Sequence, residues 1–389
     1  MNQPETSAQL PPLRILLVTT GLRMGGAEQQ VAALAKEFIA RGHRVALISL
    51  TPDCEVPMPQ DVERLMLDLR KTPLSTAKAL WVARRFATEW QADIVHSHMF
   101  HANVFARALS RISSLPPLLC AAHSFSEGGR LRMLCYRLTD RWCALTTQVS
   151  EASRAEMIRA RAVSPSRVRV MYNGIDTERF RPDLSLRNQT RARLGIDPGT
   201  RLILTIGRLA AEKAQVSLID AFHRMDRSVP TRLFIAGDGP ERMAIQVRIA
   251  EYGLGDAVTL LGTRNDIPAL LNAADLFVLS SRLEGMPLVI GEALACGRPV
   301  VATSAPGVKE LMGDIGTVVP IGDTEALALA MTQSLAAETR VHGLDEVRRQ
   351  RIAAHFGITA AADRWLSLYR EFCETAPARA RSTSPCTGA

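Results

Sequence analysis

Two carboxylates, Glu284 and Glu292, lie eight positions apart in a segment that also holds one proline and two glycines. A buried strand is predicted just before them at 276–280, and a helix of small residues follows at 293–297. The first acid is therefore expected in a loop and the second on a helix. In an open α/β sheet, side chains at this position line the crevice beyond the carboxyl ends of the strands, where ligands bind.

The backbone between the two acids has a second chemical property. A helix that begins here is expected to present free N–H groups to an anion. The residues concerned are Gly285, Met286, Pro287 and Leu288. A phosphate could lie on these amides while the neighbouring acids hold sugar or ribose hydroxyls, so the pattern favours a nucleotide-sugar site.

A pair of basic residues follows another predicted strand, at 202–206. Gly207 and Arg208 come directly after it, and Lys213 lies five positions beyond the arginine. Cations at the carboxyl end of a strand can bracket a diphosphate and neutralise charge on a leaving group. Lysine is rare here, with five lysines against 42 arginines in the chain. Two solvated basic residues on a surface loop are the alternative.

Three further loops could approach a ligand. Gly25 and Gly26 follow the first predicted strand, but their spacing is not the dinucleotide fingerprint G-x-G-x-x-G. Gly237 opens a Gly-Asp-Gly-Pro turn, and Arg264 lies in a later strand-end loop where it could approach a base. Each of these loops taken alone could be an ordinary turn.

The histidines of the first half fall into two sets. His96, His98 and His101 have a spacing that resembles metal-ligand spacing, but no nearby cysteine or carboxylate completes a ligand set, so no metal site is predicted. His123 ends the next predicted strand, where its imidazole could donate to a sugar hydroxyl or to a developing negative charge. Satisfaction by local backbone is the alternative for His123.

The elements that must position these residues alternate between strands and helices. This alternation predicts an α/β fold with two doubly wound, Rossmann-like domains facing each other across a cleft. The first domain is predicted at 13–182, with a helix at about 359–374 packing back onto it, and the second at 183–350. The segment 376–389 has no apolar period and is predicted to be disordered.

Charge is distributed unevenly between the two halves. Residues 1–190 hold 25 Lys+Arg against 17 Asp+Glu, whereas residues 191–389 hold 22 of each. The densest basic segment is 130–142, where arginines occupy one face of a predicted helix and leucines with Trp142 another. Such a helix can lie on anionic lipid. Packing of its apolar side on the protein core is the alternative.

Composition argues against several other classes of protein. The longest apolar runs are too short to cross a bilayer, and the first residues lack the pattern of a signal peptide. Seven scattered cysteines without a C-x-x-C pair are typical of reduced thiols. A cytoplasmic protein is therefore expected, and the low aromatic content of 5 % argues against a nucleic-acid partner.

From about residue 13 to residue 372, the chain resembles the large family of retaining glycosyltransferases with the glycosyltransferase-B (GT-B) fold, which includes bacterial lipopolysaccharide, capsule and exopolysaccharide transferases. The acid pair together with Arg208 and Lys213 is the specific part of this resemblance. The turn at 25–28, His123, the join at 173–176 and the turn at 237–240 add to it. One departure is Ala214, where the family commonly has glycine.

The resemblance implies a role for each candidate residue. Arg208 and Lys213 would contact the donor diphosphate, Glu292 the ribose hydroxyls and Glu284 the transferred sugar. His123 would approach the reacting carbon, and Gly25 and Gly26 would close over the donor. No Asp-x-Asp motif is present, which agrees with a metal-free, cofactor-free transfer with retention of anomeric configuration.

The partners expected from this resemblance are a nucleotide-sugar donor and a glycan or polyprenyl-diphosphate-linked acceptor. The basic first half adds peripheral contact with an anionic membrane as a hypothesis. A nucleotide-sugar 2-epimerase of the same architecture and a non-catalytic partner subunit of a transferase complex are the alternatives. An oxidoreductase is disfavoured because the dinucleotide fingerprint is absent.

Overall fold

A computed structural model of the protein describes residues 11–23, 25–70, 72–337 and 344–375. The predicted disorder at 376–389 therefore lies outside the described residues. Among the helices that are described, none is both long and apolar enough to span a membrane.

The first half forms one sheet of seven parallel strands. In spatial order these are β3-β2-β1-β4-β5-β6-β7. Helices connect most of its successive strands, whereas a loop without a helix joins β2 to β3. Its strands are β1 (Arg14–Thr19), β2 (Arg44–Ser49), β3 (Glu63–Met66), β4 (Ile94–His98), β5 (Leu118–Ala122), β6 (Leu145–Gln148) and β7 (Val168–Val170).

Helices cover both faces of this first sheet. Those that connect its strands are α1 (Gly26–Ala40), α2 (Pro73–Trp90), α3 (Phe100–Ile112), α4 (Arg130–Thr139) and α5 (Glu151–Arg159). Helix α1 packs on the face formed by Ile15 and Leu17, whereas α2 and α3 pack on the opposite face, formed by Leu16 and Val18. Alternate residues of β1 therefore serve two separate cores.

The second half repeats this architecture with six parallel strands in the order β10-β9-β8-β11-β12-β13. These are β8 (Arg201–Ile206), β9 (Thr231–Ala236), β10 (Val258–Gly262), β11 (Leu276–Leu279), β12 (Val300–Thr303) and β13 (Thr317–Val319). Its helices are α6 (Leu184–Arg193), α7 (Gln215–Arg224), α8 (Arg242–Glu251), α9 (Ile267–Ala273), α10 (Leu288–Ala295), α11 (Val308–Met312), α12 (Thr324–Ala337) and α13 (Leu344–Phe356). The prediction of two doubly wound α/β domains is confirmed.

The last described helix, α14 (Ile358–Thr375), returns to the first sheet. Trp365 and Tyr369 are buried there with Phe38 of α1, and the Tyr369 hydroxyl lies 2.6 Å from Nδ1 of His96 in β4. A helix at about 359–374 was expected to pack in this way. The domain limits themselves, 13–182 and 183–350, remain predictions.

Two details differ from the sequence expectations. Strand β3 was not predicted, because its residues Glu63–Met66 lack buried apolar side chains and lie at the edge of the sheet. The alternative interpretation of α4, in which its apolar side packs on the protein core, is wrong. Met133 and Tyr136 face the core, whereas Leu131 and Leu138 are 74 % and 69 % exposed.

Candidate functional site

Lys213 and Glu284 meet at the carboxyl end of the second sheet. Their Nζ and Oε1 atoms are 2.6 Å apart, and the hydroxyl of Ser281 donates to the same oxygen at 2.6 Å. Only 9 % of the Glu284 side chain is exposed. The loop after β8 and the loop after β11 therefore carry one charged pair.

The two loops are also joined through their backbones. The hydroxyl of Ser280 donates to the Lys213 carbonyl at 2.9 Å, and the N–H of Arg282 donates to the Glu212 carbonyl at 2.7 Å. These bonds fix the relative positions of the lysine and the carboxylate. Such a site needs little reorganisation when a ligand binds.

Arg208 follows β8 in the chain and is exposed. Its carbonyl accepts a hydrogen bond from Nε2 of Gln215 at 2.9 Å, which ties its backbone to the start of α7. Within the described ranges, no carboxylate forms an ion pair with its guanidinium. Arg208 therefore has its full donor capacity available to an anionic ligand.

The backbone after β9 packs closely on the backbone after β8. Gly237 has φ +139°, and a Cβ atom on it would lie 2.0 Å from the carbonyl oxygen of Gly207. Only glycine lets the ends of β8 and β9 approach this closely.

Arg264, which was expected near a base, forms a two-bond ion pair with Asp266 at 2.8 and 2.6 Å.

Ala214 has a left-handed backbone, with φ 51° and ψ 37°. A residue with a Cβ atom adopts this conformation at a cost of roughly 1–2 kcal/mol. The common glycine of the family would adopt the same turn without that cost. Alanine at this position therefore carries a conformational cost that glycine would not.

Glu292 lies on α10, as the helical pattern predicted. Burial raises the pKa of its carboxyl group from about 4.5 to about 7, and the nearby charge of Arg179 opposes that rise. A carboxylate that is poorly solvated before binding gains from hydroxyl donors that a ligand supplies. This environment suits a group that holds a diol.

The expected row of amide donors needs one correction. Helix α10 begins at Leu288, with Pro287 as its N-cap residue, and proline has no N–H group. In the described part of the chain, no acceptor takes the N–H groups of Gly285, Met286 or Leu288. Three donors therefore remain where four were expected.

The first domain contacts the segment that carries these amides. A Cβ atom on Gly285 would lie 2.5 Å from the backbone oxygen of His123, and one on Gly26 would lie 3.2 Å from Leu288. Gly25 is the extended N-cap residue of α1, next to Gly26. The structure thus brings together 25–26, His123 and 285–288 across the cleft.

His123 belongs to a buried row of imidazoles. Its Nε2 lies 3.1 Å from Nδ1 of His98, and the ring of His98 lies 3.9 Å from that of His96. Burial lowers the pKa of His123 to about 4. Burial together with the neighbouring histidines lowers the pKa values of His96 and His98 well below 6.5. His123 is therefore neutral near pH 7 and can act as a hydrogen-bond donor.

The sequence interpretation missed three supporting residues. Ser281 holds Glu284, His98 contacts His123, and Glu127 accepts a hydrogen bond from the Ser124 N–H at 2.8 Å, which shapes the loop after His123. His98 had been weighed only as a metal ligand. Among the described residues, no three or more His, Cys, Asp or Glu side chains are arranged so that they could hold a metal ion.

Two parallel-sheet α/β domains that meet at a cleft are the architecture of the GT-B fold. Family models agree with this assignment in both halves. Residues 24–179 match the model described as glycosyltransferase family 4, and residues 187–351 match the model described as glycosyl transferases group 1. The chain belongs to this glycosyltransferase family.

Individual relatives span most of the chain. An alpha-D-kanosaminyltransferase of Streptomyces kanamyceticus is 28 % identical over 88 % of this chain and 98 % of its own length. A UDP-Gal:alpha-D-GlcNAc-diphosphoundecaprenol alpha-1,3-galactosyltransferase of Escherichia coli is 26 % identical over 71 % and 75 %.

Solved structures show the same fold. HepE of Anabaena superposes with a TM-score of 0.80 at 23 % identity, covering 92 % of this chain and all of that one. Sucrose-phosphate synthase of Thermosynechococcus elongatus gives a TM-score of 0.81 at 21 % identity, covering 94 % and 100 %.

Proposed function

We propose that this glycosyltransferase moves a hexose from a nucleoside-diphosphate sugar to a glycan or polyprenyl-diphosphate-linked acceptor, with retention of anomeric configuration. The observation that carries the proposal is the contact of Lys213 with Glu284 at the carboxyl end of the second sheet, where Arg208 also follows β8 and forms no ion pair among the described residues. Two cations beside a carboxylate fit a ligand that presents a diphosphate next to sugar hydroxyls.

Each part of the donor has a group of suitable chemistry. Arg208 and Lys213 would bind the diphosphate, aided by the N–H groups at 285, 286 and 288. Glu292 would accept hydrogen bonds from the ribose, and Glu284 would exchange its contact with Lys213 for one with the transferred sugar. Arg264 would contribute near the base through the N–H groups that its pairing with Asp266 does not use.

The reaction breaks the bond between the sugar C1 and the diphosphate oxygen and forms one between C1 and the acceptor oxygen. The leaving diphosphate gains negative charge, which Arg208 and Lys213 would stabilise. The acceptor hydroxyl proton would pass to a leaving phosphate oxygen on the same face of the sugar, which gives retention. Neutral His123 would donate to the donor sugar near C1. In this scheme the side chains and amides supply the charge, so neither a metal nor a cofactor is needed.

The class of acceptor is supported by the relatives. The name of the Escherichia coli relative specifies a lipid-diphosphate-linked sugar as its acceptor, and HepE was crystallised with UDP and glucose. The kanosaminyltransferase and the galactosyltransferase differ by name in the sugar that they transfer. For this chain, a lipid-linked acceptor is therefore proposed as a class, and the donor base and sugar are left open.

The product of a single reaction tests the proposal. The protein is incubated with a nucleotide sugar that it binds and with a lipid-linked monosaccharide, with and without a chelator of divalent ions. Proton NMR of the product should show a new glycosidic bond with the anomeric configuration of the donor, formed at the same rate in both samples.

Other outcomes would contradict parts of this proposal. An inverted anomer would reject retention, and loss of the reaction on chelation would reject a metal-free site. Conversion of the donor into its 2-epimer without an acceptor would assign the protein to the epimerases. Tight donor binding with no chemistry for any acceptor of this class would favour a non-catalytic subunit.

A further inference from the structure

Three imidazoles form a row on one side of the first sheet. His96 and His98 are two positions apart in β4, and His98 pairs in register with Ala121 of β5, two positions before His123. Alternate residues of a strand project to the same side, so this spacing brings the three rings together. The ring of His98 lies between the other two, 3.9 Å from the His96 ring and 5.4 Å from the His123 ring.

Helix α14 fixes the far end of this row. The His96 ring lies 4.0 Å from the Trp365 ring, and its Nδ1 lies 2.6 Å from the Tyr369 hydroxyl. Both aromatic residues are buried in the core that α14 forms with the first sheet. His98 is therefore packed against a rigid neighbour on one side and His123 on the other.

The backbone after His98 is also held in place. Met99 has φ 71°, a value that a residue with a Cβ atom adopts only when its surroundings enforce it. Its N–H donates to the carbonyl of Ala121 at 3.0 Å, and its carbonyl accepts from the N–H of Asn103 at 2.9 Å. The Asn103 amide donates to the same Ala121 carbonyl at 2.8 Å. These bonds fix the end of β4 against β5, and so His98 against His123.

One hydrogen bond joins His98 to His123, and it determines which nitrogen of His123 carries the proton. Nδ1 of His98 lies 3.1 Å from Nε2 of His123. Burial lowers the pKa of both rings, so each neutral ring has one N–H group and one lone pair. Either His98 donates from Nδ1 and the His123 proton is on Nδ1, or His123 donates from Nε2 and the His98 proton is on Nε2.

The surroundings of the two remaining nitrogens favour the first arrangement. Nε2 of His98 and Nδ1 of His123 are buried atoms with no partner in the described part of the chain. His98 is fully buried, so a proton on its Nε2 would be a donor that no ligand reaches. Unpaired buried acceptors are tolerated better than unpaired buried N–H groups. His123 is partly exposed beside Gly285, where a bound ligand can supply an acceptor.

We propose that His98 is a positioning residue for His123. It donates from Nδ1 to Nε2 of His123 and thereby keeps the His123 proton on Nδ1, the one ring nitrogen that remains for a ligand. In the proposed reaction, His123 therefore donates to the donor sugar from Nδ1. That consequence rests on the proposed function, whereas the position of the proton is a property of the unliganded protein.

Nitrogen NMR of the unliganded full chain tests the position of the proton directly. In protein with ¹⁵N-labelled histidine rings, long-range couplings to the two ring protons distinguish Nδ1 from Nε2, and the nitrogen chemical shifts show which of them is protonated. The signals of His123 are those that disappear in His123→Gln. The parent should have the His123 proton on Nδ1. A proton on Nε2, or an equal mixture of the two forms, would overturn the proposal.

Two substitutions of His98 separate the hydrogen bond from packing. His98→Phe keeps a ring but has no donor, so the His123 proton should no longer be confined to Nδ1. His98→Asn leaves a cavity, but its amide N–H lies near the position of Nδ1 and can replace the donor. The transfer rate should fall by about tenfold in His98→Phe and stay within about threefold of the parent in His98→Asn. A role in packing alone predicts the reverse order of rates, because Phe fills the site and Asn does not.

His43→Phe is the matched control. His43 is a buried histidine of the same domain, and its Nδ1 accepts a hydrogen bond from the Leu13 N–H at 2.9 Å. Its loss should lower the melting temperature but leave the His123 signals and the transfer rate like those of the parent. Parental His123 signals in His98→Phe, or slower transfer by His98→Asn than by His98→Phe, would overturn the proposal. The NMR result needs no substrate, so its failure is distinct from a failure of the proposed reaction.

Discussion

Replacing both Arg208 and Lys213 with alanine is expected to lower the transfer rate by at least about a thousandfold. Each cation would stabilise the leaving diphosphate, and loss of one such contact costs about 2–4 kcal/mol in the transition state. The reason is structural as well as chemical. Arg208 has no acidic partner in the described ranges. The Lys213 ammonium already lies at the carboxyl end of the second sheet, with its Nζ 2.6 Å from Oε1 of Glu284.

Lys213→Ala also removes the ion-pair partner of Glu284, which can change the stability of the protein. The matched control must therefore show whether a lower rate comes from the lost charge at the site or from a less stable fold. Arg224→Ala/Arg227→Ala removes two exposed cations from the end of α7 in the same domain. It should transfer at the parental rate. The measurement is initial transfer rate at saturating acceptor, with the melting temperature of each variant recorded. Parental transfer by the Arg208/Lys213 variant would refute the assignment of the diphosphate site.

Replacing Glu292 with glutamine is expected to weaken donor binding while stabilising the unliganded protein. A hydrogen bond to a charged group contributes about 1.5–3 kcal/mol, so the donor Kd should rise by roughly ten- to a hundredfold. At pH 8, however, the parent holds a desolvated carboxylate whose pKa is raised to about 7. Glutamine removes that cost, so the free energy of unfolding should rise by up to about 3 kcal/mol.

The raised pKa of Glu292 also determines the direction in which stability and donor affinity change with pH. Because the folded pKa of about 7 exceeds the ordinary value near 4.5, the folded parent holds an extra proton between these values. Its stability therefore falls as pH rises from about 4.5 to 7 and stays reduced above that range. Donor hydroxyls favour the ionised form, so parental affinity should fall as pH drops below about 7.

The contribution of Glu292 to both trends should be absent in Glu292→Gln, so stability and donor affinity should depend less on pH than in the parent. Denaturant unfolding and calorimetric binding at pH 5, 6, 7 and 8 would measure them. Glu346→Gln, at an exposed position on α13, is the control and should behave like the parent. A Glu292→Gln variant that is less stable than the parent at pH 8, or that keeps its pH-dependent affinity, would contradict the role given to this carboxylate.

Much of the fold could be predicted because its strands are continuous apolar runs. The buried strand β11 is an example, and the polar edge strand β3 is the exception. The α4 helix shows the limit of periodicity. The pattern locates an apolar side at Leu131 and Leu138, but it does not say whether protein covers that side. Here the core instead takes Met133 and Tyr136.

The charged residues of the candidate site could be predicted from the sequence, but the contacts between them could not. Arg208, Lys213, Glu284 and Glu292 follow strands and glycines, which local patterns reveal. The pairing of Lys213 with Glu284 joins residues 71 positions apart, and the contact of His98 with His123 depends on the order of neighbouring strands. Such contacts arise from the assembled sheet and have no local sequence signal.

Thermal unfolding with a panel of nucleotide sugars tests the central claim most directly, because a ligand that binds only the folded state raises its stability. Uridine, guanosine and adenosine diphosphate sugars are compared on the parent and on Arg208→Ala/Lys213→Ala. At a hundredfold excess over Kd, a true donor should add about 2.7 kcal/mol and raise the melting temperature of the parent by several degrees. The variant should show little or no shift. A parent that no nucleotide sugar stabilises, or a variant that the same donor stabilises equally, would contradict a donor site built on Arg208 and Lys213.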